Sequence, residues 1–226
     1  MKAAILERLG TTPVYKEILE PKVNSENEVL IEVKAAAVKN LDKGMVSGSH
    51  YASYRKLPTV VGTDGVGLLP DGTWVYAQGK TGMLAEKAIV DKISCIPLPD
   101  AIEWGLAAAL PNAALGGVLP LTARAKMKKG DVVLINGGTG ITGKLALQMA
   151  KHYGASEIII TGRIEKEAEE LKRLGAGQLV STDADRAEFR AAIQRIHTET
   201  QINVVIDYLW GEPLEDIIQA LSGEGL

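Results

Sequence analysis

One glycine-rich stretch constrains the fold of this chain more than any other feature: VVLINGGTGITGKLALQMAKHYGA, residues 132–155. It opens with a continuous apolar run, as expected of a parallel strand that is buried on both faces. A glycine-rich turn follows, and then a helical segment that ends at Gly154. In nucleotide-binding folds, a strand, a glycine turn and a helix in this order form a phosphate site. The stretch therefore predicts an α/β domain with a nucleotide site at the turn.

Two glycine patterns overlap in this stretch, and they predict different chemistry. Gly138, Gly140 and Gly143 fit G-x-G-x-x-G, the pattern of dinucleotide-binding proteins, whereas Gly138, Gly143 and Lys144 fit the G-x-x-x-x-G-K of triphosphate-binding loops. A triphosphate loop needs a hydroxyl directly after its lysine to coordinate magnesium. Leu145 stands there and cannot coordinate a metal. The dinucleotide interpretation is therefore favoured.

In a dinucleotide site the three glycines have separate tasks. We expect Gly138 to permit the tight turn, Gly140 to let backbone N–H groups reach the pyrophosphate, and Gly143 to let the helix pack closely on the strand. The alternative is a glycine-rich turn that serves packing alone. The predicted cofactor contacts in this loop are Gly138, Thr139, Gly140, Ile141, Thr142 and Gly143.

After Gly130 the sequence alternates between strand and helix signals, which predicts a doubly wound parallel sheet. The predicted strands are residues 131–136, 157–161, 178–181 and 203–207, and the segments 164–175 and 184–197 are predicted to be helical. A complete fold of this type has six strands in the order 3-2-1-4-5-6. We therefore expect a Rossmann domain that is incomplete at its C-terminus, with the fourth strand at a sheet edge. Because an unpaired apolar edge attracts another chain, a homo-oligomer is expected.

The first hundred residues give short alternating strands separated by turn signals, which predict a compact, mostly antiparallel barrel. In EVLIEVKAAAV, for example, Val29, Ile31 and Val33 alternate with Glu32 and Lys34. Residues 101–125 are rich in Ala and Leu and are interrupted by Pro111, so they are expected to form two short helices. The predicted domains are residues 1–120 and residues 121–226.

The end of the second predicted strand indicates which dinucleotide binds. An NAD site places Asp or Glu about 20 residues beyond the glycines to hold the ribose 2′-hydroxyl. Here Gly162 and Arg163 occupy that place, and a guanidinium can bind a 2′-phosphate bidentately. Lys166 adds a second charge and Thr161 a hydroxyl donor, so NADP(H) is the predicted cofactor; the alternative is that Arg163 only faces solvent. The candidate contacts are completed by Asp207 and Tyr208, at the end of the fourth strand.

Composition excludes several other classes of protein. The chain of 226 residues carries 25 basic and 28 acidic residues, a net charge of −3, with no basic block that would favour nucleic acid. No apolar run is expected to reach the length of about 20 residues that a membrane span needs. A single cysteine, Cys95, favours a reducing cytoplasm over a disulfide framework. With three histidines spread along the chain, no catalytic or structural zinc site is expected.

A barrel-like region followed by INGGTGITGKLALQMAKHYGA resembles the medium-chain dehydrogenase/reductase superfamily, in its zinc-free, quinone-oxidoreductase-like branch. The segments AAAVKNLD, VVGTDGVG and WVYAQGKTGMLAEKAIV resemble that branch's active-site cleft, its Gly-rich barrel segment and the strand beside its substrate. The resemblance implies a GroES-like N-terminal domain and hydride transfer between NADP(H) and a quinone, enone or similar carbonyl compound.

Hydride transfer places negative charge on the acceptor oxygen, so a site without zinc needs hydrogen-bond donors there. The candidate catalytic residues are Asn40, Asp42, Tyr54 and Gln78. Three of them have a structural alternative: Asn40 could cap a short helix, Asp42 could serve a turn or a cap, and Tyr54, in the polar loop SGSHYASYRK, could be a plain surface aromatic. For the whole protein, the alternative function is a non-catalytic dinucleotide-binding sensor or regulatory protein.

Overall fold

A computed structural model describes residues 1–222, and the chain divides into two compact units. The first unit comprises Met1–Pro111 and the second begins at Asn112, ahead of the boundary expected at residue 120.

The first unit is built from short strands. They are β1 (Lys2–Leu6), β2 (Val14–Glu17), β3 (Glu28–Ala35), β4 (Thr59–Val60), β5 (Asp64–Leu68), β6 (Trp74–Gln78), β7 (Lys87–Asp91) and β8 (Ile96–Pro97), with one helix, α1 (Asn40–Ser47), between β3 and β4. The alternation predicted for β3 is confirmed, because Ile31 is fully buried while Glu32 and Lys34 are exposed. The aliphatic side chains of β3 thus face the core from one side of that strand.

These strands pair antiparallel throughout, as predicted, but the closed barrel is not observed within residues 1–222. They form a three-stranded sheet in the order β2-β1-β4 and a five-stranded sheet in the order β7-β3-β5-β6-β8. A closed barrel needs continuous pairing between all neighbouring strands, whereas contacts such as that of Ala3 with Ala85 are isolated single-pair bridges. Strands of two to five residues, such as β4 and β8, are too short to extend both ladders around a full circumference.

The second unit contains a parallel sheet with its connecting helices. Its elements are β9 (Val132–Asn136), α3 (Ile141–His152), β10 (Glu157–Gly162), α4 (Ala168–Leu174), β11 (Gln178–Ser181), α5 (Arg186–Thr200), β12 (Val204–Asp207) and α6 (Glu212–Ser222). The sheet order is β11-β10-β9-β12 and every pair is parallel, which confirms the predicted order of the first four strands of a doubly wound sheet. As predicted, β12 is an edge strand among the described residues.

Helices cover both faces of this sheet. Along β9, Val133 and Ile135 pack into one apolar cluster with α3, while Leu134 packs into a second cluster with Phe189 and Ile193 of α5. Burying one such aliphatic side chain is worth roughly 1.5–3 kcal/mol. This two-sided burial fixes β9 in the sheet, and with β9 the glycine turn that follows its carboxyl end.

Within residues 101–125 the chain forms one long helix, at Trp104–Arg124, so the prediction of two short helices was wrong. Helix α2 (Trp104–Leu119) contains Pro111 in its interior and continues into a π-helical turn, Pro120–Arg124. The later half of this helix packs closely on α3, because a Cβ on Gly117 would lie only 2.9 Å from the backbone of Ala146.

The length of this helix also corrects the expectation that no apolar stretch reaches about 20 residues. Trp104–Arg124 spans 21 residues and is, within the described part of the chain, the one helix whose length and composition would allow it to cross a membrane. Length and composition are weak grounds for a membrane span, because core helices share both properties.

A second helix differs from its prediction. The segment 164–175 becomes helical only at Ala168, and Ile164–Glu167 forms a turn closed by a hydrogen bond between the Glu167 N–H and the Ile164 carbonyl. The predicted apolar stripe still points inward, since Ile164 and Leu171 are buried. The sequence 223–226, part of the segment predicted to follow the fourth strand, lies outside the described residues.

Candidate functional site: a nucleotide cleft and a buried charge cluster

The glycine loop after β9 is fastened to the neighbouring strand. The N–H groups of Gly137 and Gly138 both donate to the backbone carbonyl of Thr161, at 3.0 Å each. The tight turn is made by Gly137, whose φ of +88° favours glycine, and not by Gly138 as the pattern alone indicated. These two N–H groups are therefore used inside the loop.

The donors left for a ligand lie at the start of α3. Gly140 is the N-cap residue in an extended conformation, without a side-chain cap, so the first N–H groups of the helix have no partner within the helix. A Cβ on Gly140 would meet nothing within 4 Å, whereas one on Gly143 would lie 2.5 Å from the Gly137 oxygen and the Gly138 Cα. Gly140 thus leaves open space above the helix terminus, and Gly143 permits the close packing that the pattern predicted. A helix terminus of this kind attracts phosphate groups.

A cleft of about 480 Å³ opens beside this loop. Its lining combines two basic and three acidic side chains with the turn of the glycine loop: Thr139, Gly140, Arg163, Glu165, Lys166, Glu167 and Asp183. The volume lies in the range of small-molecule sites. The loop donors and the basic residues therefore meet at one cleft, at the carboxyl edge of the sheet, where doubly wound folds bind their ligands.

Arg163 and Lys166, the two predicted phosphate ligands, are exposed side chains of this cleft. Neither forms an ion pair with any residue in 1–222. Gly162 brings the end of β10 against the glycine loop, since its φ is +149° and a Cβ there would lie 2.9 Å from the Thr139 side chain. The connection that carries Arg163 therefore leaves the sheet directly beside the loop.

Thr161 has a different role from the one predicted. Its side chain is fully buried and its hydroxyl donates to the Asn136 amide oxygen at 2.5 Å, so it has no surface to offer a cofactor. Asn136 in turn donates through Nδ2 to Asp207 at 2.6 Å. These three residues stand at the carboxyl ends of β10, β9 and β12, and their hydrogen bonds tie the three strand ends together. Because the polar side-chain atoms of these residues all have partners, this hydrogen-bond network makes the strand ends beneath the glycine loop rigid.

Asp207 and Tyr208, the last two predicted cofactor contacts, are also engaged within the protein. Asp207 accepts hydrogen bonds from the backbone N–H groups of Leu209 and Trp210 in addition to that from Asn136. The Tyr208 hydroxyl donates to the Gly116 carbonyl at 2.6 Å, and burial raises the pKa of Tyr208 to about 12. Both residues are half-buried, and these bonds fix the turn after β12.

In the first unit the predicted catalytic residues have unequal surroundings. Asn40 and Gln78 are exposed, with Asn40 at the first position of α1. Tyr54 is partly buried, and its hydroxyl oxygen accepts the Gly62 N–H at 3.1 Å, which leaves the phenolic proton free to be donated. Burial raises the pKa of this phenol. Asp42 is buried and holds the start of α1, because it accepts the Lys39 N–H at 2.9 Å. Asp42, and not Asn40, thus serves as the helix-capping side chain.

A buried charge cluster surrounds Asp42, and most of its members were not among the residues predicted from the sequence. The Lys39 ammonium lies 2.5 Å from Asp64 and 3.3 Å from Asp42, and both carboxylates are almost fully buried. Asp64 also accepts the Tyr76 hydroxyl at 2.8 Å, and Asp42 accepts the Thr63 N–H and hydroxyl. Burial and the neighbouring Asp64 raise the pKa of Tyr76 well above its ordinary value.

Two sequence signals pointed to this cluster. Lys39 follows the apolar run AAAV, and Asp64 precedes the apolar run GVGLL, whose residues 65–67 the fold buries. Charges are seldom fully buried unless they are paired. A buried lysine and a buried aspartate in one small domain therefore predict each other as partners.

No group of three or more His, Cys, Asp and Glu side chains in residues 1–222 is arranged to hold a metal ion. Cys95 is half-buried, and its thiol contacts the Asp91 carbonyl at 3.6 Å. Burial, and to a lesser extent the Asp91 charge, raises the pKa of this thiol, which makes it a poor thiolate ligand.

Comparison with known proteins places this geometry in a family. Residues 142–226 match the family model described as zinc-binding dehydrogenase. The NADPH-dependent alkenal/one oxidoreductase of Arabidopsis thaliana chloroplasts is 32% identical over 211 residues, which cover 83% of this chain and 54% of that protein. A probable quinone oxidoreductase of Leishmania amazonensis is 27% identical over 214 residues, 89% of this chain and 60% of that protein.

Among solved structures, an alcohol dehydrogenase superfamily protein from Novosphingobium aromaticivorans superposes with a TM-score of 0.82 at 26% identity, over 98% of this chain and 69% of that one. The chain thus spans a little over half the length of the two curated relatives. Matched in sequence along most of its length and in fold along nearly all of it, the chain belongs to the medium-chain dehydrogenase/reductase superfamily, in its quinone-oxidoreductase-like branch.

Proposed function

We propose that this protein binds NADP(H) in the 480 Å³ cleft and, without a metal ion, transfers hydride between the cofactor and a quinone, enone or similar carbonyl compound. The observation that carries the proposal is the pairing of open helix-terminal donors at Gly140 with two unpaired basic side chains, Arg163 and Lys166, at the end of β10. An acid at this place would repel a 2′-phosphate, whereas a guanidinium binds one. The names of the Arabidopsis and Leishmania relatives agree with this chemistry.

When bound, the nicotinamide supplies or accepts the hydride, and the protein's task is to orient the reactants and stabilise charge. We assign oxyanion stabilisation to the first unit, which offers the amides of Asn40 and Gln78 and the free phenolic proton of Tyr54. We assign Asp42 a structural role beside these donors, because its carboxylate accepts hydrogen bonds from the backbone at the start of α1 and from the Thr63 N–H.

The cofactor assignment is tested by titrating NADPH and NADH against the wild type and Arg163→Ala. A charge-assisted contact is worth roughly 1.5–3 kcal/mol, or about ten- to a hundredfold in affinity. The wild type should therefore prefer NADPH by about that factor, and Arg163→Ala should lose most of the preference while NADH binding is nearly unchanged. Arg173→Ala is the matched control, because this arginine is exposed on α4 outside the cleft. Equal affinities of the wild type for the two cofactors would refute the assignment.

The reaction is tested by NADPH oxidation across a panel of quinones and enones. Asn40→Ala and Gln78→Ala should lower kcat with NADPH affinity unchanged, because their amides are assigned to the developing oxyanion. Tight NADPH binding with no oxidation across the panel would instead favour a dinucleotide sensor.

We also propose that the protein is cytoplasmic and self-associates. The compartment is inferred from the single cysteine, although the Arabidopsis relative is named as chloroplastic. Self-association is inferred from β12, whose outer edge is unpaired within the described sheet. Sedimentation as a monomer at micromolar concentration would contradict the second inference.

A further inference from the structure

Lys144, the lysine that gave the glycine loop its resemblance to a triphosphate site, is held between two carboxylates, one in the turn before α4 and one in α4. Its ammonium lies 2.6 Å from Glu167 and 2.6 Å from Glu170, with 20% of the side chain exposed. These two hydrogen bonds raise the pKa of Lys144, so the ammonium stays charged over the whole physiological range. Two of the three N–H donors of this ammonium are thus used inside the protein, and Lys144 lies four residues after Gly140, which lines the cofactor cleft.

The two glutamates differ in what lies around them. Glu167 lines the cleft, one residue after Lys166 and four after Arg163, whereas Glu170 is not part of the cleft lining. An unpaired Glu167 carboxylate in the cleft would repel a phosphate group and so oppose the binding of that phosphate by Arg163 and Lys166. The Lys144 ammonium, which is not itself part of the cleft lining, compensates that charge.

We propose that Lys144 determines cofactor preference as a positioning residue, by holding and neutralising Glu167 at the edge of the site for the 2′-phosphate. The inference rests on the proposed function, because it names a second determinant of the NADP(H) preference assigned to Arg163. It also helps to explain how a cleft with three acidic side chains can accept a phosphate: one of the two glutamates adjacent to Lys166, Glu167, is already paired with Lys144.

The test measures the ratio of NADPH to NADH affinity, and of 2′,5′-ADP to 5′-AMP affinity, in a set of matched variants. In Lys144→Met both glutamates lose their partner, and the ratios should fall about two- to fivefold, the range for partly exposed charges. Adding Glu167→Gln to Lys144→Met should restore the ratios. Adding Glu170→Gln should not, although it removes a carboxylate at the same 2.6 Å distance from the same ammonium.

Two further variants guard against a purely structural effect. Lys144→Arg keeps the charge and should keep the wild-type ratios, and Glu167→Gln alone, which leaves the lysine in place, should leave them unchanged or higher. The inference is overturned if Lys144→Met leaves a wild-type preference intact, if Glu170→Gln rescues as well as Glu167→Gln, or if Glu167→Gln alone lowers the ratios. If the wild type itself shows no preference for NADPH, the cofactor assignment fails first, and the Lys144 proposal fails with it.

Discussion

The buried charge cluster of the first unit allows a prediction of stability that does not depend on any ligand. Replacing Lys39 by Met removes the ammonium 2.5 Å from Asp64 and leaves a carboxylate that is 3% exposed with the Tyr76 hydroxyl as its remaining side-chain partner. Removing one member of a buried ion pair costs about 3–5 kcal/mol. Because 12% of the Lys39 side chain is exposed, we expect the lower end, about 3 kcal/mol.

The second substitution of the cycle separates lost charge from lost packing. Asp64→Asn in the Lys39→Met background removes the uncompensated carboxylate, so the double variant should be more stable than Lys39→Met alone. The control is Lys34→Met, which breaks the exposed pair with Glu32 and should change stability by less than about 0.5 kcal/mol.

The assay must report on the first unit by itself, since a chain of two units need not unfold in one step. Trp74 and Trp104 stack at a centroid distance of 4.3 Å in that unit. In a Trp210→Phe background, which removes the tryptophan of the second unit, their fluorescence follows the unfolding of the first unit in urea. Amide hydrogen exchange along β5 gives an independent measure at the strand that carries Asp64. A cost below about 1 kcal/mol for Lys39→Met, or a double variant less stable than Lys39→Met, would refute the reasoning.

Three more predictions follow from the second unit. Gly143→Ala should destabilise the protein by about 1–3 kcal/mol, because its Cβ would lie 2.5 Å from backbone atoms. Gly140→Ala should keep the wild-type stability in thermal melts but lose cofactor affinity in titrations, because only a ligand fills the space above Gly140. Asp216→Asn should lower the free energy of unfolding in urea by about 1–2 kcal/mol, because the buried carboxylate accepts two hydrogen bonds from Arg186. Glu215→Gln, which changes an exposed and longer contact with the same arginine, should be nearly neutral, and equal losses for the two variants would contradict this account. Because burial raises the pKa of Tyr208 to about 12, this phenol should remain mostly protonated near pH 11 in the native protein. The tyrosinate absorbance of native Tyr208→Phe should therefore be almost that of the native wild type, whereas in guanidinium chloride the variant should show one tyrosinate fewer.

Much of the second unit could be predicted because its signals are local. The apolar run 132–136 and the glycine spacing place a strand, a turn and a helix without reference to any distant residue. The strand order then follows from the handedness and shortness of connections between parallel strands. The sequence did not show that Gly137, and not Gly138, makes the tight turn, because this depends on the position of the Thr161 carbonyl.

The site residues that were misjudged share one cause. Thr161 was expected to face the cofactor, but in a central strand covered on both faces every side chain is buried, and a hydroxyl there bonds within the protein. Lys39 and Asp64 are 25 residues apart, and they pair because the start of α1 lies beside the start of β5. The partners of Lys144 likewise follow from how α4 lies against α3. Sequence spacing predicts contacts along an element, and these contacts are between elements.

The connection between β10 and α4 has a consequence for how cofactor choice could change over evolutionary time. Within residues 163–167 only Ile164 is buried in the core, while Arg163, Glu165 and Lys166 are exposed around the cleft. Substitutions at the exposed positions would change the charge presented to a ligand and leave the folded core intact. A library randomised at these positions with Ile164 held constant should therefore yield mostly folded proteins with a wide spread of affinities for phosphorylated and unphosphorylated ribose, so that selection could move the preference in either direction by single steps.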